Sequence, residues 1–146
     1  MLRVQHAVSR AGLPARWSLR NWARAALERD AEVTMRFIGV TESARLNAAY
    51  RGKPSPTNIL TFVYDDMRVG RLSGDLLLCV PVLRREAREQ GKTLRHHCAH
   101  LVVHGMLHLQ GFDHERAREA RRMEAREIAI LAMFGIPDPY RLSHTG

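Results

Sequence analysis

Eight histidines occur in this chain, and five of them fall between positions 96 and 108. His104 and His108 are four residues apart, so on a helix they share a face and sit about one turn from each other. Two imidazoles at that spacing can grip one ion from one side. Gly111 comes three residues after His108, and His114 three after Gly111. A glycine there can take a positive φ, end the helix and turn the chain back, which returns His114 toward the first two. Three neutral nitrogen ligands leave a tetrahedral zinc with an open fourth position, the pattern of a catalytic site rather than a structural one. A metal so held lowers the pKa of water to about 7. The expectation is one Zn2+ per chain on His104, His108 and His114.

His100 lies on the same face one turn earlier. It stands eight residues from His108, about 12 Å along a helix axis, so one ion cannot take both. It is expected at the pocket edge or hydrogen-bonded in the core. Asp113 and Glu115 flank His114 and are placed either to orient it or to start the next helix. Asp75, after Gly74, supports a ligand or bonds to backbone, with the structural role ranked first. Arg51 and Lys53 sit at a loop marked by Gly52, Pro54 and Pro56. On the loop sequence alone they read first as two solvated cations, with binding of an anion as the alternative.

These groups need elements to hold them. Leu94–Leu109 reads as a largely buried helix, with Leu101, Val102, Val103, Met106, Leu107 and Leu109 around it. Before it, a strand-like Leu2–Val8 leads past Pro14 to a helix ending near Asp30. There Leu19, Trp22, Ala23 and Ala26 fall on one face, so the tryptophans are expected in the core rather than as base-stacking platforms. Ala31–Val40 reads as a strand. Thr41 is expected to cap a short helix reaching Tyr50. Asn58–Asp65 and Ser73–Val80 read as strands separated by a turn holding Asp65, Asp66 and Gly70. Pro81 suits the first turn of a helix that Gly91 ends. A last helix spans about Glu115 to Phe134, with Ala120, Met123, Ile130 and Phe134 inward and its Arg–Glu run on a solvated face. The order implies an α+β domain: a small sheet of about four strands, mostly antiparallel or mixed, covered by helices.

The 146 residues, 45% of them hydrophobic and 26% charged, fit one folded domain spanning 1–146, with 136–146 expected as a mobile tail. No apolar run approaches the roughly 20 residues of a membrane helix. MLRVQHAVSR lacks the apolar stretch of a signal peptide, so a cytoplasmic protein with no membrane partner is expected. Cys79 and Cys98 form no CxxC pair and read as free, buried thiols. The net charge of +8 rests on 23 cations, 21 of them Arg. Such a balance attracts polyanions, above all nucleic acid.

The run HGMLHLQGFDH (104–114) resembles the metzincin pattern HExxHxxGxxH, except that Gly105 stands where those peptidases place their general-base glutamate. That exception argues against ordinary peptide hydrolysis. A closer resemblance is to the YbeY-type endoribonucleases, bacterial rRNA maturation factors. It is carried by NAAYRGKPSPTNILTF (47–62), SGDLLLCV (73–80), AHLVVHGMLHLQGFDH (99–114) and MEAREIAILAMFGIPDPY (123–140), and spans about 32–140. The family commonly shows Ser-Phe-Pro where this chain has Thr61-Phe62-Val63. The resemblance implies a zinc-dependent, single-strand-specific endoribonuclease acting in 16S rRNA 3′-end maturation and ribosome quality control. Its partners would be single-stranded RNA and the small ribosomal subunit. It carries the metal ligands onto His104, His108 and His114, and an important arginine onto Arg51. The alternatives are a zinc-dependent metallopeptidase-like hydrolase and a non-catalytic, zinc-containing ribosome assembly factor.

Overall fold

The computed structural model describes residues 1–64, 72–112 and 116–141. Nine elements follow in order: β1 (Leu2–His6), α1 (Arg16–Ala26), β2 (Ala31–Ile38), α2 (Val40–Arg51), β3 (Ile59–Val63), β4 (Leu72–Cys79), α3 (Val80–Glu89), α4 (Leu94–Leu109) and α5 (Ala117–Ala132). The strands form one sheet in the order β1-β2-β4-β3. β1, β2 and β4 run parallel, and β3 pairs antiparallel with β4. The fold is thus α+β with a mixed four-stranded sheet, as the element order implied, with the parallel pairings in the majority.

Alternation within the strands decides which face is covered. Val33, Met35 and Phe37 of β2 and Leu72, Leu76 and Leu78 of β4 join Leu19 and Trp22 of α1, Leu107 of α4 and Leu131 of α5 in the main core. The opposite face buries a smaller cluster, Ile38, Leu60, Leu77, Cys79 and Val82, with Leu46 of α2 against it. Because α4 is enclosed by α1, α3, α5 and the sheet, it is apolar around most of its circumference. The expected bounds of α4 match those observed. Thr93 caps it, its side chain accepting a hydrogen bond from the His96 N–H at 3.0 Å.

Three local expectations need correction. α2 starts two residues early, with Gly39 rather than Thr41 as its N-cap. Trp22 is buried, but Trp17 is 66% exposed, since it falls off the stripe defined by Leu19, Trp22, Ala23 and Ala26. Phe134 lies beyond the end of α5 and is also exposed. The free cysteines are both buried, as expected, and burial pushes the Cys98 thiol up to about 12. The turn holding Asp65, Asp66 and Gly70 lies outside the described residues. Among those described, no helix is long and apolar enough to cross a membrane.

Two glycines set how closely α4 approaches the sheet. A Cβ at Gly105 would lie 2.8 Å from Ile59 Cδ1 and 2.9 Å from Leu76 Cδ2. One at Gly74 would lie 2.6 Å from the Phe62 carbonyl oxygen and 2.9 Å from Leu109 Cδ2. The first pair are side-chain tips that can shift, whereas the Phe62 oxygen is backbone locked in the β3–β4 ladder. Gly74→Ala is therefore expected to cost roughly 1–3 kcal/mol or more of stability, the range for overpacking. Gly105→Ala should cost less, since alanine returns about 1 kcal/mol of helix propensity. Urea unfolding midpoints of the two variants test that ranking.

Candidate metal centre

Three of the five histidines of α4 lie in one row. His100, His104 and His108, spaced by four, are each partly exposed, while His97 is almost fully buried. The helix ends as the sequence suggested. Gly111 adopts φ 99°, its N–H donates to the His108 carbonyl at 3.0 Å, and the Phe112 N–H donates to the Leu107 carbonyl at 3.2 Å. This pair of bonds is the Schellman C-terminus, in which a left-handed glycine turns the chain away from the axis. His114, Asp113 and Glu115, which follow that turn, lie outside the described residues.

Opposite the row stands Glu127 of α5, with no exposed surface. Its carboxylate meets His100 Nε2 at 2.7 Å and the Tyr140 hydroxyl at 2.8 and 2.9 Å. His104 Nδ1 lies at 3.3 and 3.4 Å. Burial alone would push this carboxyl upward, but the hydrogen bonds from His100 and His104 outweigh it and hold the group at about 2. It is ionised at neutral pH and can only accept, so the ring nitrogens facing it carry their protons. Burial, then the charge of Glu127, pushes the Tyr140 phenol up, so it remains a donor. One donor atom each from His100, His104 and Glu127 lies within 4.8 Å of the others, a group that can hold a metal ion.

His97 fixes α4 from the other side, its Nε2 2.9 Å from Glu86 Oε1 of α3. Asn58, ahead of β3, donates to the same carboxylate at 3.1 Å.

Of the other expected site residues, Arg51 ends α2 and is exposed, as is Lys53 after Gly52 (φ 70°). Their loop is anchored by buried polar groups. The Asn47 amide donates to the Ser55 carbonyl at 2.8 Å, and the Ser43 hydroxyl accepts from the Thr57 N–H at 3.0 Å. The loop then enters β3 at Ile59, which packs against Gly105, the neighbour of His104. Asp75 accepts from the Tyr64 hydroxyl at 3.0 Å, a side-chain bond where a bond to backbone or to a ligand was expected. His100 is hydrogen-bonded in the core, one of its two expected roles. In the segment expected as a tail, Ile136 is buried, Lys92 Nζ donates to the Pro139 carbonyl at 3.0 Å, and Tyr140 reaches Glu127.

Glu127 and Tyr140 were not among the expected site residues. The charge run of the last helix read as a solvated face, but Glu127 lies on the buried stripe with Met123, Ile130 and Leu131. A single carboxylate on an apolar stripe was the available signal. At Gly105, where the peptidase pattern has its glutamate, the missing Cβ points at Ile59 and Leu76 of the sheet.

Fold and site together define a class: an α+β domain whose enclosed central helix presents a row of imidazoles to a buried carboxylate. A family model described as "Endoribonuclease YbeY" matches residues 15–135. A protein of that description from Aromatoleum aromaticum is 57% identical over 142 residues, covering 95% of this chain and 91% of the relative. One from Thiobacillus denitrificans is 53% identical, covering 95% of each. The chain belongs to the endoribonuclease YbeY family. The solution structure of TM1509 from Thermotoga maritima shares the fold, with a TM-score of 0.60 at 21% identity over 100% of this chain and 99% of that one.

Burial, opposed by the Glu86 hydrogen bond, holds the His97 pKa below its ordinary 6.5. An imidazole whose folded pKa lies under its unfolded one is protonated first in the unfolded chain. Its contribution to stability is therefore complete above pH 6.5 and shrinks as the pH falls toward the folded value. Melting temperatures between pH 7 and 5 should fall more steeply for the native chain than for His97→Gln, which keeps a donor for Glu86 but does not titrate.

Proposed function

We propose that this chain is a zinc-dependent endoribonuclease specific for single-stranded RNA, with one ion held by His104, His108 and His114. We further propose that it works in the cytoplasm on the small ribosomal subunit, in 16S rRNA 3′-end maturation and ribosome quality control. Membership of the family makes the chain an endoribonuclease, a hydrolase of RNA phosphodiester bonds. The observation that carries the metal reading is the pairing on α4. His104 and His108 stand one turn apart on a helix enclosed on its other sides, and a left-handed Gly111 follows. The donor set fits the ion: imidazoles are common zinc ligands, and His104 has the ring-to-carboxylate bond that ligating histidines usually make.

A bound zinc supplies Lewis acidity, polarising a phosphoryl oxygen and acidifying water. The chain supplies the rest. Arg51 offers two parallel donors to the phosphate oxygens of the scissile link, where charge builds, and Lys53 adds a compact positive charge beside it. Both project from a loop that Ser43 and Asn47 hold in place, so little ordering is left for the moment of binding. The net charge of +8 draws the RNA backbone in.

Elemental analysis of the purified protein, with cleavage of single-stranded RNA before and after chelation, tests the assignment. His108→Ala should lose both bound metal and cleavage while keeping the far-UV spectrum of the native chain. Full cleavage by a metal-free His108→Ala preparation would exclude the site. Arg51→Glu should keep its zinc yet lose about 10²-fold or more in kcat/KM, the scale of one transition-state donor. Unchanged kinetics would reduce Arg51 to a surface cation.

A further inference from the structure

We infer that Glu127 is a positioning residue for the metal ligand His104, held in its task by Tyr140 and His100. The inference rests on the reading of His104 as a ligand and extends it to a residue on another helix.

Three features of Glu127 support it. It is the one fully buried carboxylate among the described residues. Among the described residues, its hydrogen bonds are with two α4 histidines and with the phenol that follows α5. And it faces Nδ1 of His104. An acceptor there keeps the proton on Nδ1 and leaves the Nε2 lone pair to bind an ion, which selects one tautomer and fixes the ring plane. His100 and Tyr140 hold the carboxylate in turn and also meet each other, at 3.2 Å between Nε2 and the hydroxyl, so the chain after α5 is latched to the metal helix around this acid.

At His100 and Tyr140, distances separate hydrogen bonding from shared ligation, while His104 Nδ1 stands 3.3 Å from the carboxylate. Ligand atoms about 2.0–2.1 Å from a tetrahedral zinc lie roughly 3.3 Å from one another. His100 Nε2 and the Tyr140 hydroxyl approach Glu127 at 2.7 and 2.8 Å, the separations of charge-assisted hydrogen bonds. With these two partners the carboxylate makes hydrogen bonds rather than sharing an ion.

The test is the metal affinity of the full chain, measured for Zn2+ and Co2+ by competition with a chromophoric chelator. Glu127→Gln should bind both ions roughly 10–100-fold more weakly with an altered Co2+ absorption spectrum, and Tyr140→Phe should shift both in the same direction by less. A folded Glu127→Gln with native affinity and spectrum overturns the inference and leaves the ligand assignment standing. His104→Ala binding zinc as tightly as the native chain would overturn the ligand assignment itself. Should Glu127→Gln fail to fold, the tautomer in the native zinc-loaded chain decides the matter by imidazole 1H–15N correlation. A proton on Nδ1 of His104 with Nε2 ligated is the expected result, and the reverse overturns it.

Discussion

A helix enclosed by other elements has little room for polar side chains, and α4 is enclosed by three helices and a sheet. Every polar group it carries must either find a partner or face the remaining gap. That constraint organises this protein. His97 meets Glu86, His100 and His104 meet Glu127, and Thr93 closes the N-terminal turn. The apolar positions between them lock the helix rotation against α1 and the sheet. Rotating α4 by one residue would drive imidazoles into the core and bring leucines to the gap. The packing that stabilises the domain therefore also aims the histidines.

The same constraint explains why two acids from separate helices bracket α4. Glu86 on α3 and Glu127 on α5 reach it from different directions, and each accepts from an imidazole. The sheet is the third boundary, and it tolerates close approach only at small residues, Gly105 on the helix and Gly74 on β4. The loop after α2 reaches this region through β3, stiffened by Ser43 and Asn47. Arg51 and Lys53 thus stand on a braced support.

Much of this could be read from the chain alone. The bounds of α4 followed from its apolar density, the turn at Gly111 from the glycine between histidines, and the mixed sheet from the order of elements. Family membership followed from four segments with specific residues. What escaped notice was of one kind. Glu127 hid in a run of alternating Arg and Glu, where i,i+4 pairing explained it sufficiently, and its burial depends on α4 lying against that stripe. Tyr140 sits past two prolines, where local signals favour a loose end, and only the distant acid gives it a purpose. Trp17 was assigned to the core by association with Trp22, although it falls off that stripe. Long-range partners decide these positions, and periodicity within one element does not contain them.

Gly105 bears on what this scaffold can become. In the peptidase pattern the residue after the first histidine carries the acid that handles protons. Here the side chain at that position would grow directly into Ile59 and Leu76. Restoring a glutamate would mean opening the seam between helix and sheet, so the two chemistries are separated by a packing barrier as well as by a codon.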